Sequence, residues 1–275
     1  MNRFSPSPFE AVSSLWHRRG LVRTMVRREV LGRYRGSLLG LAWSFFNPLL
    51  MLGVYTFVFS TIFKSRWADP QQEQASQVPT ALILFAGLIV NGFFSEVLGR
   101  ASTLIVGNVN YVKKVVFPLE LLPVVAVGSA LVHACISLVV LLAACLVLGV
   151  GVPWTALFLP FILMPLIVLV LGLAWILAAL GVFLRDVSQL MGVVLAMLLF
   201  LSPIFYPSSA VPAFARDFMM FNPLTLIVEQ VRAVLFWRQL PDVPALCAYL
   251  GVSVGVACGG FAWFQLTRKG FADVL

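Results

Sequence analysis

The chain has 275 residues, 61% of them hydrophobic and only 11% charged, with a net charge of +8 and a mean hydropathy of +0.99. A soluble domain carries about 25% charged residues, so this composition excludes one and points to a polytopic membrane protein folded as a single all-α helical bundle. The positive charge does not require nucleic acid, because membrane proteins collect Lys and Arg on cytoplasmic loops.

In chain order, the first element is a basic amphipathic helix over residues 21–35. Leu21, Val22, Met25, Val26 and Val30 share one face, and Arg23, Arg27, Arg28 and Arg35 crowd the other. The pattern suits a helix in the cytoplasmic membrane interface, apolar side in the acyl boundary and Arg among anionic headgroups. A secretory signal is excluded by the late apolar stretch and the lack of a small-residue cleavage site, and Glu10 and Glu29 count against an organelle transit peptide. The chain thus divides into a cytoplasmic N-terminus, 1–37, and a transmembrane domain, 38–275.

Six apolar stretches follow at 38–63, 81–99, 120–149, 154–183, 187–206 and 244–266, each near the roughly 20 residues needed to cross a bilayer core. Pro48 and Pro203 are expected to kink or open the first and fifth spans. Trp43, Trp154, Trp175 and Tyr206 lie near or within span ends, where amphipathic rings anchor. With both termini inside, the cytoplasmic side receives the N-terminal arginines, Arg100, Lys113, Lys114, Arg185, Arg268 and Lys269. The outer side receives Lys64, Arg66, Arg216, Arg232 and Arg238, which obeys the positive-inside rule.

Residues 207–240 are divided by Pro207, Pro212 and Pro223 into pieces too short to cross. Asn222 as cap and Pro223 in the first turn start a helix that runs to about Trp237. The reading is two short re-entrant helices dipping into the outer leaflet, which is permitted where they pack on protein.

Absences narrow the chemistry. The sequence has no GxxxxGK[ST] phosphate loop, HExxH, GxSxG or Cys/His cluster. Cys135, Cys145, Cys247 and Cys258 all fall in apolar runs without CxxC spacing and read as packing thiols. His133, alone in the third span, reads as a hydrogen-bonded packing residue rather than a catalyst. Glu96 and Glu120 sit near cytoplasmic span ends instead of forming a mid-membrane carboxylate pair. The chain therefore carries no visible energy source of its own. The cytoplasmic loop 100–118, with Asn108, Asn110, Tyr111, Lys113 and Lys114, is either simply solvated or a docking site for a soluble motor.

Four stretches taken in order, RREVLGRYRGSLLGLAWSFFNPLL, NVNYVKKVVFPLELLP, FLRDVSQL and SPIFYP…NPLTLIVEQVRAVLF, resemble the membrane subunit of type 2 ABC exporters. The likeness is strongest to the bacterial branch exporting O-antigen, capsule or teichoic acid on lipid carriers. It covers residues 20–270 or so.

The resemblance implies a channel-forming permease without enzymatic activity or cofactor of its own, in the bacterial inner membrane. Two copies would work with two P-loop ATPases that bind ATP and Mg, moving a lipid-linked polysaccharide, in some systems toward an envelope-spanning partner. Residues 21–35, including Tyr34, match the cytoplasmic gate helix. Asn108 to Lys114 match the coupling helix, and 211–221 with 223–237 match outer gate helices, which places Pro212, Asn222, Pro223, Glu229 and Arg232 there.

Two pairs leave alternatives open. Glu29 and Arg33, four apart on the apolar face, either pin the gate helix to the bundle or leave Arg33, with Arg28 and Arg35, to receive a carrier pyrophosphate. Glu229 and Arg232 either pair to hold the outer gate closed or form a surface ion pair worth little. Trp43, Phe46, Tyr55, Phe200, Phe205 and Tyr206 are the aromatics expected near a pore, where ring faces meet sugar C–H groups. Rival readings are a type 2 permease for small hydrophobic or lipo-oligosaccharide substrates, and a membrane enzyme acting on polyprenyl-linked sugars.

Overall fold

The computed structural model describes residues 13, 16–62, 78–113, 117–212, 214, 218–219 and 221–275. Among these residues the secondary structure is helical, without strands. The elements are α1 (Arg19–Arg33), α2 (Gly40–Ile62), α3 (Thr80–Ala101), α4 (Val109–Lys113) and α5 (Leu121–Val147). They continue with α6 (Trp154–Phe183), α7 (Val187–Leu201), α8 (Thr225–Leu235), α9 (Val243–Thr267) and α10 (Phe271–Val274). Among the described residues five helices are long and apolar enough to cross a membrane: α2, α3, α5, α6 and the segment Val243–Val274 that contains α9.

The fifth expected span, 187–206, is shorter than its apolar run. α7 stops at Leu201. Ser202, preceding Pro203, takes extended geometry with ψ 148°, because the proline ring disfavours helical backbone at the residue before it. Pro203 therefore ends the helix rather than kinking it. Pro48 does lie inside α2, which passes from α-helix into a π-helical stretch at Thr56–Ile62.

α3 is the central helix. Its side chains from Thr80 to Gly87 are all buried, and it meets α5, α6, α7 and α8. α6 and α9 pack backbone against backbone. A Cβ at Gly172 would fall 2.6 Å from Ala257 Cα, and one at Gly260 would fall 2.3 Å from Gly172 O. Lipid tails are as apolar as leucine, so such backbone-close contacts, rather than a hydrophobic driving force, hold membrane helices together.

α1 starts at Arg19 and ends at Arg33, two residues earlier than expected at each end. Gly36, at φ +88°, then turns the chain into α2. Leu21 is exposed, while Val22, Met25, Val26 and Val30 face inward. The apolar face is thus applied to the bundle: Val26 lies over α5 at Gly128, where an added Cβ would meet Val26 Cγ2 at 2.7 Å. Protein covers the stripe expected to face lipid, because α5 offers a residue without a side chain.

Candidate functional site

Three helices each present two polar residues one turn apart: Glu29 and Arg33 on α1, Glu96 and Arg100 on α3, Ser129 and His133 on α5. They meet in two layers. In one, Arg100 donates to Glu29 Oε1 and, at 2.9 Å, to Ser129 Oγ, while Ser129 Oγ reaches Glu29 at 3.2 Å. In the other, Arg33 Nη2 donates to Glu96 Oε1 at 2.5 Å, and His133 Nδ1 lies 3.0 Å from both Glu96 Oε1 and Arg33 Nη1. Glu29 and Arg33 reach across to the bundle rather than along their own helix. The charge order alternates between layers, so sliding α1 by one turn would bring Glu29 against Glu96. Like charges in a poorly solvated site forbid that register, which leaves α1 docked in one position or released. Arg28 and Arg35 are exposed, and Tyr34 sets its ring edge-on to His133 with centroids 6.2 Å apart.

Next to this ladder, α1, α2, α3, α5 and α7 border an open cavity of about 370 Å³, lined among others by Arg33, Asn47, Tyr55, Asn91, Glu96 and His133. Of the expected pore aromatics, Tyr55 faces this space. Trp43, Phe46 and Phe200 are exposed on the bundle surface. Phe205 stacks on Phe59 at 6.3 Å and contacts Phe200 at 5.9 Å, and Tyr206 OH donates to Phe200 O at 2.9 Å. These form a separate aromatic group beyond the end of α7. Trp175, expected near a span end, is buried inside α6 and donates Nε1 to Glu120 O at 3.0 Å.

Glu120 joins both ends of the described chain. Arg268 Nη1 donates to its Oε2 at 2.6 Å, and Arg18 Nη1 approaches Oε1 at a long 3.5 Å. Arg268 also donates to Phe117 O at 3.0 Å. Phe117 stacks on Tyr111 of α4 with centroids 4.6 Å apart. Tyr111 therefore points inward, to a small apolar core that includes Ile105, Phe264 and Phe271, and Met25 of α1 packs on the same core. Asn110 and Lys113 are exposed, and Asn108 donates to Leu104 O at 2.8 Å to close the preceding turn. Lys114 lies outside the described residues.

At the opposite end, Arg232 of α8 is 1% exposed, which overturns a surface ion pair with Glu229. Its guanidinium donates to Ile83 O at 3.1 Å, Pro203 O at 2.5 Å and Ile204 O at 2.7 Å. Five donors in a planar fork suit several carbonyls at once. Gly87 leaves the room, since a Cβ there would lie 2.9 Å from Arg232 Nη2. The helix begins at Thr225 rather than at Pro223. Asn222 closes the turn before it, accepting from Leu224 N at 2.9 Å and donating to Ser202 Oγ at 2.9 Å. α8 also ends at Leu235, short of Trp237. The other expected helix, 211–221, falls partly outside the described residues, and Pro212 lies at its edge.

The fold and site define a multi-pass membrane protein in which charged side chains at helix junctions hold helices together. Residues 20–236 match the family described as ABC-2 type transporter, and the chain belongs to that family. It is therefore the membrane-embedded component of an ABC transporter that works with an ATPase partner. An O-antigen export system permease protein RfbA of Myxococcus xanthus is 29% identical over 265 residues, 95% of this chain and 98% of that protein. Two proteins of the same name from Klebsiella pneumoniae are each 24% identical over 93% of this chain and 95% of their own length. All three are transport components rather than enzymes.

Sequence reasoning placed Glu29 and Arg33 at the gate but missed Arg100, Ser129 and Asn91. The available signal was the repeated four-residue spacing 29/33, 96/100 and 129/133, the last two in otherwise apolar spans.

Proposed function

We propose that the chain is the channel-forming permease subunit of an ATP-driven exporter that carries a lipid-linked polysaccharide of the O-antigen kind across the bacterial inner membrane, from the cytoplasmic to the periplasmic side. The observation that carries this is the near full-length similarity to O-antigen export permeases. Two copies form the conduit and two P-loop ATPases drive it. Both termini are cytoplasmic, so α1, α4 and Glu120 belong to the cytoplasmic end and Arg232 to the outer end.

In this reading α4 docks on the ATPase through exposed Asn110 and Lys113, while inward Tyr111 anchors it. ATP-driven displacement of α4 passes through Phe117 and Arg268 to Glu120, and through the shared apolar core to Met25 of α1. The charged ladder gives α1 two states, docked and released, and so suits it to gate lateral entrance of the lipid carrier. Exposed Arg28 and Arg35 meet the carrier's phosphates. Arg33, spent on Glu96 in the docked state, becomes available to them only when α1 lifts.

The test is affinity purification of the chain in mild detergent from cells that also carry a glycan-export readout. A stoichiometric P-loop ATPase is expected, and Asn110→Ala with Lys113→Glu should reduce its recovery about tenfold and halt surface glycan display. Absence of such a subunit under several gentle conditions would sink the exporter reading. Unchanged recovery from the α4 variant would remove the docking assignment alone.

A further inference from the structure

The cavity beside the ladder holds polar groups that the protein itself does not satisfy. Asn91 on α3 is 8% exposed, its side chain lines the cavity, and its Oδ1 has no hydrogen-bond partner among the described residues. His133, whose Nδ1 is engaged by Glu96 and Arg33, lines the same cavity and leaves Nε2 buried without a partner. Buried polar atoms are ordinarily paired, and two orphans on one cavity call for a ligand or ordered water to complete them.

The chemistry of the walls selects the ligand. Arg33 is neutralised by Glu96 at 2.5 Å, so the cavity offers no uncompensated positive charge to a phosphate. Asn91 presents both a donor and an acceptor, and Asn47, Ser44 and Ser137 add further uncharged groups. Tyr55, Phe85 and Phe93 supply ring surface. Mixed donors and acceptors beside flat apolar rings match a hydroxyl-bearing ring that is itself a donor, an acceptor and a C–H face. A volume of about 370 Å³ is at the small end for ligand pockets, which run roughly 300–1,000 Å³.

We propose that this cavity is a recognition site for a neutral sugar unit, held by Asn91 and His133 just inside the gate helix. The proposal rests on the export reading and adds to it which part of the glycan is read and by which residues. Because Arg33, Glu96 and His133 also fix α1, a sugar in the cavity contacts the groups that keep the gate docked. Occupancy and gating are thereby linked.

The experiment places the photoreactive residue p-benzoylphenylalanine at Tyr55 in cells that make and export the glycan, and at Val147, which is 85% exposed and away from the cavity, as reference. The probe at Leu199, another lining residue, covers the case in which the Tyr55 variant does not accumulate. After irradiation the permease is purified and blotted for attached glycan. Adducts are expected from Tyr55 or Leu199 and not from Val147. Asn91→Leu, close in volume and without polar atoms, should cut their yield about three- to tenfold, the value of one neutral hydrogen bond, without lowering thermal stability or ATPase recovery.

Adducts whose yield ignores Asn91→Leu would overturn the recognition site, leaving a glycan that passes the cavity without being read by Asn91. Glycan captured by the probe at Phe200 but not at Tyr55 or Leu199 would overturn it too, while the export reading stands. Mass-shifted permease, read by mass spectrometry and equally abundant in cells blocked in glycan synthesis, would assign the cavity to a lipid headgroup and sink the proposal. Loss of the unmodified chain without loss of surface glycan would instead refute the export reading itself.

Discussion

Removing one rung of the gate ladder gives a measurable release of α1. In Arg100→Gln the Glu29 carboxylate loses its charged partner while Ser129 remains. The two side chains are 29% and 31% exposed, between the exposed pairs worth about 0–1 kcal/mol and the buried ones that cost about 3–5 kcal/mol to break. A loss of roughly 2 kcal/mol follows, which is about thirtyfold in the docked-to-released ratio. A released 15-residue helix is marginal on its own, so release should appear as faster amide hydrogen exchange over residues 21–33. The assay is exchange with mass spectrometry on the ATPase complex in nanodiscs, comparing Arg100→Gln, Glu29→Gln and the charge swap Glu29→Arg with Arg100→Glu. Each single change should speed exchange about thirtyfold. The swap should stay slower than the sum of the two singles, although it brings a second guanidinium close to the Arg33 layer. Exchange within threefold of the parent in both singles would refute the pinning role, as would a swap no slower than the sum.

Two further outcomes follow from packing. Gly128→Ala drives a methyl into Val26 and should loosen α1 by about 1–3 kcal/mol, read by the same exchange; adding Val26→Ala should restore it, and failure of that rescue would mean that α1 does not sit on α5. Arg232→Met fills the space but strips donors from the carbonyls of Pro203 and Ile204, each of which costs about 1–3 kcal/mol when left unsatisfied. A fall of roughly 5–10 °C in Tm is expected, measured by intrinsic fluorescence of the purified complex, and a fall below about 2 °C would show that the buried guanidinium is not structural.

The spans were legible because a bilayer demands a length and a polarity, and both are linear properties of a sequence. The early end of α7 was also legible in principle. Ser202-Pro203 is a stop signal that a run of apolar residues masked. What sequence spacing hid was where charge goes in three dimensions. Glu29 looked like a partner for Arg33 because they are four apart, yet its cation lies 71 positions away and Arg33's carboxylate 63 positions away. Arg232, three residues from Glu229, left a gate-closing pair and a surface pair equally open, and neither reading pointed to backbone carbonyls as its partners. The carbonyls freed by the helix break after α7, together with Ile83 O of α3, are brought next to it by folding and make its burial tolerable.

Glu120 sets an order of manufacture. A ribosome delivers α1 ahead of the ladder that fixes it, which needs α3 and α5, and the arginine that anchors Glu120 most closely lies near the end of the last described span. A helix made ahead of the spans is then secured only once α3 and α5 have followed it. A half-finished chain has an unlatched α1, so a gate under charge control cannot be set until the helices that surround the conduit exist.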